Sequence, residues 1–227
     1  MKRFWQDVAV TADGGIALDG RPVRTPGRLP LVVPFPALGE AIADEWRAVE
    51  ETIDPRAMPL TGLANAAIER IAPDAATFAG GIAVYGGSDL LCYRAEPGPL
   101  ADRQAAIWDP VLDWARERFG VDFSVTDGVM PVEQPPRTLA RLREAVVALS
   151  PWQLAPLSPI VSLTGSLLLG LAVVERAIDA DTAWAAAHVD EDWQAEQWGE
   201  DALAAETRAA RASDYRAAIR FLDLIRA

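Results

Sequence analysis

The rhythm of apolar and polar positions changes along the chain. Between residues 4 and 33 short apolar stretches are cut by "DGG" at 13–15, "DG" at 19–20 and "PG" at 26–27. Glycine and aspartate tolerate the positive backbone angles of tight hairpins. Asp7–Val10, Ile16–Leu18, Arg21–Thr25 and Leu31–Val33 are therefore predicted to form a small antiparallel meander. Such a sheet cannot bury both faces alone, and cover follows at once. Leu38, Ile42, Trp46 and Val49 recur at helical spacing and predict an amphipathic helix over 36–50. After the loop "ETIDPRAMP", Leu60, Leu63, Ala64, Ala67, Ile68 and Ile71 predict a second helix, with Thr61 as a candidate cap. A third, with Phe78, Ile82 and Tyr85, is weakened by glycines at 80, 81, 86 and 87.

Helices dominate further on. "LLCYR" at 90–94 has a strand's composition, and "VDFSVT" at 121–126 alternates like a brief one. Between them Ile107, Trp108, Val111, Leu112 and Ala115 form a helical stripe that Pro110 should start or kink. Leu139, Leu142, Val146 and Leu149 mark another helix. Ser150-Pro151 and Ser158-Pro159 each combine a capping hydroxyl with the imide favoured at a first helical position, so each predicts a helix start. The remaining periodicity predicts helices from Ile160 to Arg176, from Thr182 to Trp198, and from Leu203 to the end. The expected class is α+β: a small antiparallel meander with covering helices, then an all-α region. The expected domains are 1–85 and 86–227, with the change of character between residues 73 and 95.

One run raises the question of a membrane. Ala145–Val174 contains no charge, and "IVSLTGSLLLGLAVV" at 160–174 is strongly apolar. A spanning helix needs about 20 continuous apolar residues. Pro151, Pro156 and Pro159 interrupt this run, so the expectation is a helix buried on all sides, without stable membrane insertion.

Composition narrows the chemistry. The 227 residues are 51% apolar, enough for a core without staples, and Cys92 is the only cysteine, so no internal disulfide can form. A formal charge of −12 repels polyanions unless the basic residues are segregated, and they are scattered. Lys2 is the only lysine, which excludes a Walker-type phosphate loop. "MKRFWQDVAV" has neither a secretion signal's apolar stretch nor an organelle presequence's character. The expected location is the bacterial cytoplasm, or the mitochondrial matrix for a processed organelle protein.

Catalytic constellations find little support. His188 is the only histidine, and no serine lies in a Gly-x-Ser-x-Gly elbow. A metal- or thiol-dependent hydrolase using Glu191, His188 or Cys92 is the alternative reading. Cys92, however, lies in an apolar setting where a lone cysteine usually packs. The acidic run "DEDWQAEQWGED" at 190–201 offers no Glu-x-x-His pair and no alternating hard-cation loop, so no metal and no cofactor is expected. On a helical wheel Trp184, Ala187, Glu191, Ala195 and Trp198 share a stripe, while Asp190 and Asp192 point to the sides as a solvated face. Glu191 is thus an acid among apolar neighbours. It needs a partner, either inside its own chain, where His188 is one turn away, or on another molecule.

A set of longer matches points to the second. "RFW", "LDGRPVRTP", "EW" at 45–46, "MPLTGLANAAIER" at 58–70, "DLLCYRA" at 89–95, "WDPVLDW" at 108–114 and "DEDWQAEQWG" at 190–199 occur in order over nearly the whole chain. Together they resemble the assembly chaperone family for the α subunit of the F-type ATP synthase catalytic head. The resemblance implies a two-part protein without catalysis that holds the free α subunit and shields its β-facing surface; a monomer is expected. The family pattern around its helical acid is matched by Glu191, Trp193, Gln194, Trp198 and Gly199. On that resemblance these residues bind the partner; in physical terms a few aromatic anchors plus one charge pair, for instance Glu191 with an arginine of the α subunit, would give specificity without permanent adhesion.

Overall fold

The computed structural model describes residues 2–128, 130–199 and 201–227. The chain packs as two compact units. One comprises Met1–Ala75, Ser150–Pro156 and Asp214–Ala227, the other Ala76–Leu149 and Leu157–Ser213.

In the first unit β1 (Val8–Val10), β2 (Ile16–Leu18) and β3 (Arg21–Pro22) form the antiparallel meander, in the order β1-β2-β3. Val8 faces Leu18 and Val10 faces Ile16 across the ladder. All three residues of the central strand are buried. The predicted fourth strand, Leu31–Val33, does not extend the ladder. It joins by isolated bridges, Gly15 to Val32 and Arg24 to Pro30. Pro22, Pro30 and Pro34 lack amide protons, which shortens β3 and leaves 31–33 without a continuous row of donors.

Helix α1 (Pro36–Arg47) buries Leu38, Ile42 and Trp46, and the Trp46 ring meets Trp5 edge to face at 5.4 Å. Helix α2 (Pro59–Ala66) follows, but Thr61 does not cap it. The Glu45 carboxylate of α1 does, accepting the Leu60 and Thr61 amides at 2.8 Å each and the Thr61 hydroxyl at 2.7 Å. The chain then widens into a π turn over Ala67–Ile71, from which Glu69 accepts the Gly27 amide of the hairpin region. Trp152, stacked on Phe221 and edge-on to Phe35, completes this core.

The second unit contains α3 (Ala75–Ala83) from Ala76 onward, α4 (Pro99–Phe119), α5 (Pro136–Val147), α7 (Leu167–Val174), α8 (Ala180–Ala187) and α9 (Val189–Trp198). Helices α6 (Pro151–Thr164) and α10 (Ala202–Leu224) each supply residues to both units. Pro110 neither starts nor ends α4, whose 21 residues run through it. One missing amide is tolerated there because Trp108, Val111, Leu112 and Ala115 are anchored in the core. The two expected strands shrink to β4 (Tyr93–Arg94) and β5 (Thr126–Asp127), a parallel pair. Asp89 accepts the Leu91 amide and bends Leu90–Cys92 into a 3-10 turn instead of a strand.

Of the two Ser-Pro pairs, only the first begins a helix. Ser150 and Gln153 exchange bonds in a capping box, side-chain oxygen to backbone amide in each direction, at 3.3 and 3.1 Å. Pro156 and Pro159 both lie inside α6. The long buried helix expected from Ile160 is broken at Gly165, whose φ of 68° is left-handed, and restarts at Ser166, whose hydroxyl accepts the Leu169 amide. Leu167 to Val173 are all buried, as the apolar run requires. Among the described residues no helix is long and apolar enough to cross a membrane.

Gly170 explains one small residue in that run. A β-carbon there would stand 2.7 Å from Val161 Cγ2 and 2.8 Å from Leu157 Cδ1. Alanine normally favours a helix by about 1 kcal/mol over glycine, but overpacking a core costs about 1–3 kcal/mol. Gly170→Ala should therefore lose about 1 kcal/mol in urea unfolding, the opposite of the usual sign.

Candidate functional site

The acidic segment does not continue a helix begun at Thr182. Helix α8, capped by Asp179 accepting the Thr182 amide at 2.7 Å, ends at His188, and α9 starts immediately after. His188 itself causes the break. Its Nδ1 donates to the Trp184 carbonyl at 2.7 Å, the acceptor that its own backbone amide would use in a helix, and that amide turns to the Ala185 carbonyl instead. The ring lies 3.9 Å from the Trp184 ring and is buried. Burial, the largest cause, holds its pKa below the ordinary histidine value, so the imidazole is neutral at pH 7.

The break interrupts the apolar stripe drawn from Trp184 to Trp198. Glu191 is not sealed among apolar neighbours, since its side chain is 46% exposed. Nor are Asp190 and Asp192 a solvated face. Asp190 accepts from Gln104 Nε2 at 2.6 Å, and buried Gln104 in turn accepts the Ala95 amide at 2.7 Å. Asp192 pairs with Arg208 at 2.5 Å, and Glu196 receives both terminal nitrogens of Arg103 at 2.7 and 2.9 Å. Arg103 holds the Glu196 carboxyl below its ordinary pKa. Glu191 meets Arg211, one nitrogen at 3.2 Å, while the other nitrogen of that guanidinium donates to the Leu163 carbonyl at 2.9 Å.

Carboxylates thus tether α9 to α4 on one side and to α10 on the other. These tethers explain how a segment with acidic charges only stays helical: Asp190, Glu191 and Asp192 lie in its first turn, where the helix dipole favours negative charge, the Gln104 amide donates to Asp190, and arginines of α10 face the other two. Sequence reasoning missed Arg208 and Arg211. Their spacing of three on a helix directly after the acidic run was the available signal.

Between α9 and α10 an open groove of about 630 Å³ is lined by Glu191, Gln194, Ala195, Trp198, Leu203 and Arg211, among others. Trp198 is 79% exposed and Leu203 70%. Gly199 ends α9 with φ of 86°, a left-handed angle that glycine adopts without strain. Trp193 is half-buried and Gln194 exposed. Asp201 accepts the Ala204 amide at the start of α10, and Glu200 lies outside the described residues. Glu191, Gln194, Trp198 and Gly199 thus line one surface feature, and Trp193 is not among its lining residues.

Of the hydrolase residues His188 and Glu191 are neighbours, and Cys92 lies among other charges. Cys92 is buried, and its thiol is pushed up to about 12, first by burial and then by Asp89. The charges acting on it are Asp89, Arg94 and Arg116, whereas those acting on His188 are Glu191, Arg208 and Arg211. Among the described residues no group of three or more His, Cys, Asp or Glu is placed to hold a metal ion.

Motif residues without evident chemistry turn out to be joints. Arg94 pairs with Asp109 at 2.7 Å and lies over the Trp108 ring, 5.0 Å from its centre. Trp108 Nε1 donates to the Ala186 carbonyl at 2.7 Å, linking α4 to the last turn of α8.

A family model for the ATP12 chaperone protein matches residues 2–116, half of the chain. The chain belongs to the ATP12 chaperone family. Two solved structures extend the likeness of this ATP12 chaperone beyond the matched half. Atp12 from Paracoccus denitrificans is 46% identical, with a TM-score of 0.91 covering 99% of this chain and 98% of that one. An aspartate-to-lysine mutant of P. denitrificans Atp12p, also 46% identical, superposes with a TM-score of 0.92 over 99% of this chain and 97% of that one. The mitochondrial protein atp12 of Schizosaccharomyces pombe is 26% identical over 220 residues, 87% of this chain and 74% of that protein. The small antiparallel sheet followed by a mostly helical region is therefore the ATP12 fold, and the groove lies in the part of it beyond the family model's reach.

Proposed function

We propose that this ATP12 chaperone binds the free α subunit of the F-type ATP synthase through the α9–α10 groove and shields the surface that β later covers, without catalysis. One observation carries the reading. Trp198 and Leu203, two large apolar side chains more than two-thirds exposed, flank a half-exposed carboxylate in an open groove. Tryptophan is enriched among the residues that dominate interface energies, and it is seldom left in water without a use. A transient contact of ordinary size, about 1,600 Å² in total, would let β displace the chaperone.

Co-expression of the chain with the α subunit, followed by pull-down with β as competitor, tests this. The native chain should retain α and release it to β. Trp198→Ala should weaken α binding about tenfold or more, with an unchanged melting temperature because the ring packs little in the free protein. Glu191→Ala should weaken binding while unfolding stays cooperative. Retention of α by the Trp198→Ala chain at native strength would exclude the groove as the docking surface.

A further inference from the structure

The four acids of α9 are not held alike. Glu196 has two short bonds to one guanidinium, Asp192 has one at 2.5 Å, and Asp190 is held by a buried amide. Among the described residues Glu191 has a single bond, at 3.2 Å to Arg211, which leaves it loosely placed, and its other close neighbour is His188. Because Nδ1 of the neutral ring donates to the Trp184 carbonyl, Nε2 carries the lone pair, and it lies 3.8 Å from Glu191 Oε2. Among the described residues Nε2 has no hydrogen-bond partner, although the His188 side chain is wholly buried. A buried lone pair behind a carboxylate is two acceptors facing each other. Two facing acceptors repel, so this carboxylate gains from a cation that reaches it from the groove it lines.

Arg211 fills that role only in part. Its guanidinium is divided between Glu191 and the Leu163 carbonyl, and its side chain is 37% exposed. A pair this open contributes about a factor of five at most to any equilibrium. A cation buried under a bound protein, beside the Trp198 ring, would be desolvated and would hold the same carboxylate more strongly.

We propose that Glu191 is an exchangeable carboxylate that leaves Arg211 for a cationic side chain, arginine or lysine, of the bound α subunit. Arg211 is the place-holder, and it competes with the client. The proposal rests on the groove reading above.

Equilibrium binding of the purified chain to the α subunit separates the two. Trp198→Ala reports on the groove, and Glu191→Gln on the exchange. Glu191→Gln should weaken binding about tenfold and flatten its salt dependence. Arg211→Gln should tighten binding about three- to fivefold in the native background and change nothing in the Glu191→Gln background. Arg211→Lys, which keeps a cation at the surface, should bind between native and Arg211→Gln, and it serves should the glutamine variant fold poorly. Weaker binding by the Arg211 variants in both backgrounds would make Arg211 a contact residue and overturn the exchange. An unchanged affinity for Glu191→Gln beside a weakened Trp198→Ala would do the same while the groove reading stands. No effect of either Trp198→Ala or Glu191→Gln would remove the groove reading itself.

Discussion

Replacing Asp89 by alanine should lower the unfolding free energy by about 3–5 kcal/mol, the largest loss expected of any single substitution here. The carboxylate is fully buried and accepts from three directions: the Ser166 hydroxyl at 2.7 Å, the Leu168 amide at 2.9 Å and the Leu91 amide at 3.1 Å. Ser166 is itself the cap of α7, so the acid fixes both the turn it belongs to and the start of the most apolar helix. Alanine would leave two amides buried without acceptors, at about 1–3 kcal/mol each.

Burial nevertheless outweighs those three donors and raises the Asp89 pKa to about 6. The group's folded pKa lies above its unfolded value of 3.8, so its favourable contribution is complete below about 3.8 and is lost as pH rises through about 6. The native chain should therefore gain about 1 kcal/mol relative to Asp89→Ala when urea titrations are moved from pH 7.5 to pH 5. A stability difference that shrinks on acidification would contradict this assignment.

Glu45→Ala should cost about 2–3 kcal/mol by the same measurement, with the loss centred on α2. Met58, the residue at the helix start, offers no side-chain cap, and Glu45 takes that office from α1, serving two first-turn amides and the Thr61 hydroxyl. Glu45→Gln should recover only part of the loss, because its amide nitrogen would face a donor. Hydrogen exchange at Leu60 and Thr61 should accelerate well before the rest of the first unit opens. Equal acceleration throughout that unit would mean the cap is not local.

These two acids show why motif matches are recognisable in a sequence without being explicable from it. "EW" at 45–46 and "MPLTGLANAAIER" at 58–70 are separate strings, yet Glu45 of the first caps the helix of the second. "DLLCYRA" and "WDPVLDW" meet likewise through Arg94 and Asp109, and Asp89 reaches Ser166 across 77 positions. Periodicity cannot show such pairings, because it records which face of an element is apolar and carries no information about which other element lies opposite.

Local rules sufficed where neighbours in the chain decide the outcome. The hairpin turn at Asp19-Gly20, the stripes of α1 and α5, the helix start at Ser150-Pro151 and the buried character of 167–173 all follow from residues within a few positions of one another. Tertiary structure alone decided the rest. It carried α4 through Pro110, since buried side chains on both sides outweigh one lost hydrogen bond. It split the predicted helix at His188, where a ring nitrogen takes a backbone acceptor. It also turned an acidic run expected to be half solvated into a set of tethers with one loosely held carboxylate, because the arginines and the buried glutamine that meet it belong to other helices, and a charge's neighbours are set by packing in space.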